Sequence, residues 1–207
     1  MRKTHRRIAL VSVSLVVAAV TVASVVGLAS ARDDHSLTAV AASATGRYHN
    51  LDAAKAAGWD VLVVDLNGIT CIDNQPVGGM GVHYANGSLL GDAVADPTRP
   101  EALVYAPNAA GQLKLAALEY IIFQKAWNDA GHDDAHPPEL FGQKFSLTPA
   151  GNRFGLDPFW SLHVWLWQPN SAGEFQPWNP RVHCFQPVGG GMRFIPPPAG
   201  TASLQGP

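Results

Sequence analysis

Three residues stand out for the chemistry they could do together: His83, Glu119 and His163. Each lies in a run that reads as a β-strand, where successive side chains point to opposite faces. In residues 113–123, alternation places Leu113, Leu115, Ala117, Glu119, Ile121 and Phe123 on one face, so Glu119 is a single carboxylate among apolar neighbours. A buried, unpaired carboxylate is costly and must be protonated, ion-paired or bound to a metal. A strand end reaching water, or an arginine such as Arg153 or Arg181, would satisfy it equally well. In residues 159–167, Trp160, Leu162, Val164 and Leu166 form an apolar face, and Phe159, Ser161, His163, Trp165 and Trp167 form the other. In residues 77–85, Val77, Gly79, Gly81, His83 and Ala85 share a face, with Met80, Val82 and Tyr84 opposite. Glycine in a strand often marks close approach, so Gly79 and Gly81 are expected to clear space around the His83 imidazole.

Two imidazoles and one carboxylate on three strands of one sheet would make an open site. This set holds one divalent transition metal (Zn, Fe or Cu) and leaves positions free for water or a small molecule. His183, beside Cys184, is a fourth candidate ligand, and Tyr84 and Tyr120 are auxiliary proton donors if the ion activates water or substrate. Histidines held by ordinary hydrogen bonds are the alternative. A different class of function is a non-catalytic envelope protein whose Trp165, Trp167 and Ser161 contact a glycan, a peptide or a protein partner.

Other constellations carry less. His132 and His136 have the i, i+4 spacing of a zincin helix, but Asp133 stands where the glutamate base belongs. Gly131 before them and Pro137-Pro138 after leave no room for a helix. Gly78-Gly79-Met80-Gly81 and Gly189-Gly190-Gly191 lack the strand-to-helix context and Lys-Ser/Thr ending of a phosphate loop. Ser161 lies two residues from His163, yet the chain has no G-x-S-x-G elbow of a serine hydrolase.

The elements that position these residues follow from pattern. Residues 37–57 are alanine-rich with helical spacing at Leu37, Val40, Ala41 and Ala44, a break near Gly46, an N-cap at Asn50 and a stop at Gly58. Val61–Val64 opens the β-rich part. Residues 102–106 and 113–123 are two strands joined by Asn108-Ala109-Ala110-Gly111, a hairpin connection. Gln124 to Trp127 continues the second strand or turns into a short helix. Residues 132–138 form a polar loop. The reading is an α+β fold, with short N-terminal helices packed on a mostly antiparallel sheet or partial β-barrel.

Of the 207 residues, 47% are hydrophobic, and part of that share lies in one N-terminal run. Arg2, Lys3, Arg6 and Arg7 precede an uncharged stretch, residues 8–29, and Ala29-Ser30-Ala31 offers a cleavage site. Residues 1–31 therefore read as a signal peptide, long enough to stay as an N-terminal membrane anchor through residues 8–29 if uncleaved. The net charge is −2, and cleavage makes the remainder more acidic, because four basic residues leave and no acidic one does. That balance excludes nucleic acid as a partner and leaves the N-terminal segment as the one route to a membrane. Residues 32–188 are expected to form one globular domain and 189–207 a Gly/Pro-rich flexible tail. Cys71 and Cys184 both lie in the exported part, secreted or in the cell envelope, where an oxidising environment favours a disulfide.

The runs Gly79-Met80-Gly81-Val82-His83-Tyr84, Leu162-His163-Val164-Trp165-Leu166-Trp167 and Trp178-Asn179-Pro180 resemble a group of secreted bacterial proteins. The resemblance spans roughly Arg47 to Cys184, implies export and a single domain, and brings no established activity. The His, Glu, His arrangement is faintly similar to cupins. The paired H-x-H of the first cupin motif is missing, however, because position 81 is Gly.

Overall fold

A computed structural model of the chain describes residues 36–188, 191–194 and 202–203. The first 35 residues, and with them the expected signal segment, lie outside the described residues. So does most of the expected tail, although residues 191–194 and 202–203 are strands. No helix among the described residues is long and apolar enough to cross a membrane.

Residues 36–45 form helix α1, which runs into a 3₁₀ turn, Gly46–His49, and then helix α2, Leu51–Ala56. The Asn50 carboxamide caps α2 by accepting from the Asp52 and Ala53 amides at 2.9 and 3.2 Å, as its residue type leads one to expect. Gly58, at φ +102°, reverses the chain after the helix. The buried face of this N-terminal layer is Ala41, Tyr48, Ala54 and Trp59, and the Trp59 indole N–H donates to the Pro100 carbonyl at 2.9 Å.

The strands are β1 (Val61–Leu62), β2 (Cys71–Asn74), β3 (Gly78–Ala85), β4 (Ala102–Pro107) and β5 (Leu113–Phe123). After helix α3 (Gln124–Asp129) come β6 (Glu139–Leu140), β7 (Gln143–Lys144), β8 (Ser146–Thr148), β9 (Phe159–Val164), β10 (Phe185–Val188), β11 (Gly191–Phe194) and β12 (Ala202–Ser203). The main sheet runs β12-β1-β3-β4-β5-β9-β8, with β2 also paired to β3, and it does not close into a barrel. Apart from the β1–β12 pair it is antiparallel, and with the helices it makes the fold α+β.

One face of the sheet carries the larger core. Val82, Tyr84, Leu103, Tyr105, Leu118, Tyr120, Ile122, Trp160, Leu162 and Val164 pack there against the N-terminal helices, with Phe141 and Phe145 from the later loops. The Cys71–Cys184 disulfide sits in this core, with Cα atoms 5.5 Å apart and a sequence separation of 113. Closing so long a loop stabilises the fold by about 4 kcal/mol in the chain-entropy account, and the bond is compatible with an oxidising, exported setting.

Two bulges modify the simple alternation. Between β4 and β5 the register passes from Val104↔Ala117 to Tyr105↔Leu115, so Ala116 is an extra residue. Leu115 therefore joins Leu118, Tyr120 and Ile122 in the larger core instead of sharing the face of Glu119. Between β2 and β3 the register passes from Ile72↔Gly81 to Asp73↔Gly79, which leaves Met80 unpaired. Met80 turns to the side of His83, not the side of Val82. Strand β9 is also shorter than its hydrophobic run. It stops at Val164, and the Trp165 amide donates instead to the Glu174 carbonyl at 3.0 Å.

Candidate metal centre

The opposite face of the sheet holds the candidate ligands. Register explains how three strands deliver them to one point. Glu119 on β5 lies directly across from His163 on β9 and, on its other side, from Ala102 on β4. Ala102 in turn pairs with Ala85 on β3, two residues beyond His83, so His83 is diagonal to Glu119 with β4 between them. Strands one place removed are roughly 10 Å apart, twice the spacing of neighbours. On β4, Val104 lies opposite His83 and Ala102 opposite Glu119, and the His83 and Glu119 side chains meet across this strand.

The meeting is close. His83 Nε2 lies 3.4 Å from Glu119 Oε2 and 3.4 Å from His163 Nε2, and His163 Nδ1 lies 3.7 Å from Glu119 Oε1. One ligand atom from each residue falls within 4.8 Å of those of the other two, and all three side chains are buried. Ligands about 2.0–2.2 Å from a shared ion sit roughly 3.4 Å from one another, so the His83–Glu119 and His83–His163 separations already suit one ion.

The electrostatics are those of a site short of positive charge. Burial pushes Glu119 up to about 8, opposed in part by a hydrogen bond with Ser161. Burial pushes His83 down to about 4, opposed in part by the Gly81 backbone. His163 is held well below the usual imidazole range by burial and then by His83. Among the described residues no lysine or arginine pairs with Glu119; its ion-pair partners are these two histidines. A divalent cation would reverse the balance, favouring the carboxylate and using the neutral imidazoles as they stand.

Two hollows meet at this group. An apolar cavity of about 80 Å³ is bounded by His83, Glu119 and Ser161 on its polar side and by Val63, Leu90, Ile121, Phe123, Phe154 and Phe159 elsewhere. A more polar cleft of about 330 Å³ includes His163, Gln143, Lys144, Ser146, Gln176 and Trp178. Met80, Thr148 and Ser161 line both.

Several expected members are elsewhere. His183 is exposed between buried Val182 and buried Cys184, which the disulfide holds in the core. Tyr84 and Tyr120 are next in sequence to His83 and Glu119, and for that reason point to the opposite face, into the larger core. They are not proton donors to this site. Trp165 is buried with Val104, Ala117 and Val182, its indole N–H donating to the Gln176 carbonyl at 2.7 Å, so it offers no exposed platform. Trp167 is half-buried, edge-on to the ring of His49. Ser161, expected with the tryptophans on a binding face, lines the cavity beside Glu119.

The glycines do something other than clear room for the imidazole. A Cβ at Gly81, where φ is +102°, would collide with the Tyr105 carbonyl, and one at Gly79 would collide with Val182. They let neighbouring chain segments press against β3, which fixes the strand that carries His83. His132 and His136 are in an exposed loop, one stacked on Trp127 and the other bonded to Asp133. Glu101 is a further buried carboxylate that alternation did not single out. It follows Pro100 at the entry to β4, accepts the Ile121 amide at 2.9 Å and is pushed up to about 8 by burial. Set against known proteins, the chain matches no family model, no curated sequence and no solved structure.

Proposed function

We propose that this is an exported metal-binding protein in which His83, Glu119 and His163 hold one divalent transition metal, Zn, Fe or Cu, beside a small-molecule pocket. The observation that carries the reading is three buried, mutually adjacent ligands on three strands with, among the described residues, no arginine or lysine to satisfy the carboxylate. Three protein ligands leave coordination positions open, the arrangement of centres that act on a bound molecule more than of closed structural sites. An ion there would supply Lewis acidity and a bound water of lowered pKa. The chain's own groups supply the dry surroundings and the Ser161 hydroxyl that faces Glu119. The basic-then-apolar N-terminal run and the disulfide support export.

Elemental analysis of untagged protein recovered from its export route tests the reading. About one equivalent of Zn, Fe or Cu is expected, with none in the folded His83→Ala, His163→Ala double variant. No metal in the native protein, and no uptake when each ion is offered, overturns it.

A further inference from the structure

We propose that the ligand of this centre is a small amphiphile, with a monocarboxylate head group on the ion and a short aliphatic tail in the apolar cavity beneath it. The inference rests on the metal reading above and adds what the ion would face. The cavity wall is aliphatic and aromatic except where His83, Glu119 and Ser161 close it and at Thr148, which borders the polar cleft as well, so polar recognition is concentrated at the ligand group. Water needs two to four polar partners to occupy a cavity, and apart from the ligand group this wall offers only the Thr148 hydroxyl. The remaining space therefore suits carbon.

Size sets the length of that carbon chain. An apolar cavity of roughly 150 Å³ accepts benzene. This one, at about 80 Å³, has room for a smaller group, on the order of three or four carbons by that comparison. Charge sets the head group. A divalent ion beside one carboxylate and two neutral imidazoles leaves one positive charge in a buried site, and a monoanion cancels it. The polar cleft on the side of His163, which shares Met80, Thr148 and Ser161 with the cavity, leaves room for groups beyond the head.

The experiment loads the full-length protein with Co(II) and titrates linear monocarboxylates from acetate to octanoate, reading the visible cobalt bands. Affinity should rise about fourfold for each added methylene while the tail is being buried, reach its best near butanoate or pentanoate, and fall for longer chains. Ile121→Phe and Leu90→Phe, which shrink the cavity from different sides, should flatten the length dependence while cobalt stoichiometry is kept. Phe123→Ala should move the optimum to longer chains. If cobalt binds but acetate and pentanoate bind alike, or affinity keeps rising to octanoate, the tail assignment is overturned and the metal reading stands. Carboxylates that bind without moving the cobalt bands overturn the head-group assignment. If cobalt does not bind, both readings fall together.

Discussion

Two of the buried carboxylates, Asp65 and Glu119, are held in opposite ways. Asp65, in the loop between β1 and β2, is 1% exposed, and Glu119, in the middle of β5, is 8% exposed. Asp65 Oδ1 accepts the Asn67 and Ile69 amides, each at 2.9 Å, and Oδ2 accepts from Arg153 Nη2 at 2.8 Å. Burial alone would raise the Asp65 carboxyl, but the Arg153 guanidinium and the two amides outweigh it and hold the group below its usual 3.8. Among the described residues Glu119 has neither amide nor guanidinium partners, only a serine and two imidazoles that burial keeps neutral. The difference separates architecture from function. Asp65 is satisfied from within, and Arg153 also donates to the Asp73 carbonyl, tying the 153 loop to β2. Glu119, with His83 and His163, could instead be satisfied by a cation from outside the chain.

Substitutions at the two sites should therefore fail in opposite ways. Glu119→Gln keeps the shape and removes the charge an ion needs. Metal affinity should fall by more than the 10- to 100-fold typical of losing a ligand's supporting hydrogen bond. Thermal stability of the metal-free protein should change by less than about 1 kcal/mol, since a group burial keeps protonated is replaced by a neutral one. A metal titration beside a melting curve reads both.

Asp65→Asn should do the reverse. Breaking a buried pair costs roughly 3–5 kcal/mol, and Arg153, about a third exposed, recovers some of that by turning to water. A loss of about 2 kcal/mol in chemical denaturation, with metal stoichiometry unchanged, is expected. Loss of metal in Asp65→Asn with a melted Glu119→Gln would invert the comparison.

Acid sharpens the contrast at Asp65. Its carboxyl titrates lower folded than unfolded, so the fold gains from its charge above the unfolded value, near 4. That gain drains as pH falls through this value and is gone below the folded one. Stability of the native protein should therefore drop on acidification from about pH 5, and the Asp65→Asn curve should drop less over the same range. Parallel curves would mean that Arg153 does not hold Asp65 in solution.

How much of this was legible in the sequence depends on distance along the chain. Alternation within one strand placed His83, Glu119 and His163 correctly, because nothing interrupts the pleat between Ala117 and Phe123 or between Phe159 and Val164. The same rule misplaced Leu115 and Met80, each beyond a bulge whose extra residue inverts the faces. Trp165 keeps the face of His163, as alternation places it, but is buried there against Val104, Ala117 and Val182. That the three ligands converge depends on the register of β3, β4, β5 and β9, which pairs stretches far apart along the chain. The pairing of Asp65 with Arg153, 88 residues apart, is of the same kind. It also removes Arg153 as a partner for Glu119. The apolar cavity was half legible, since Ile121, Phe123 and Phe159 share the alternation face of Glu119 and Ser161. Val63, Leu90 and Phe154 come from loops with no periodicity to read.

The smallest expected effect tests whether the two faces of the sheet are independent. Tyr84 follows His83 and points into the larger core, fully buried, with its ring edge-on to Tyr105 at 5.7 Å. Among the described residues its hydroxyl has no hydrogen-bond partner, and burial pushes it up to about 12. By contrast, Tyr105 donates to the Tyr48 carbonyl at 2.7 Å and Tyr120 to the Pro97 carbonyl at 2.8 Å. Tyr84→Phe thus deletes an unpaired polar atom, and stability should hold or rise by up to about 1 kcal/mol. Tyr120→Phe deletes a bonded one and should lose about 1 kcal/mol by leaving the carbonyl unpaired. Neither should alter metal stoichiometry or affinity, because both hydroxyls lie across the sheet from the ligands. A metal affinity that moved with Tyr84→Phe while stability did not would show that the core face adjusts the position of His83. The division between a face that holds the fold and a face that holds the ion would then be too sharp.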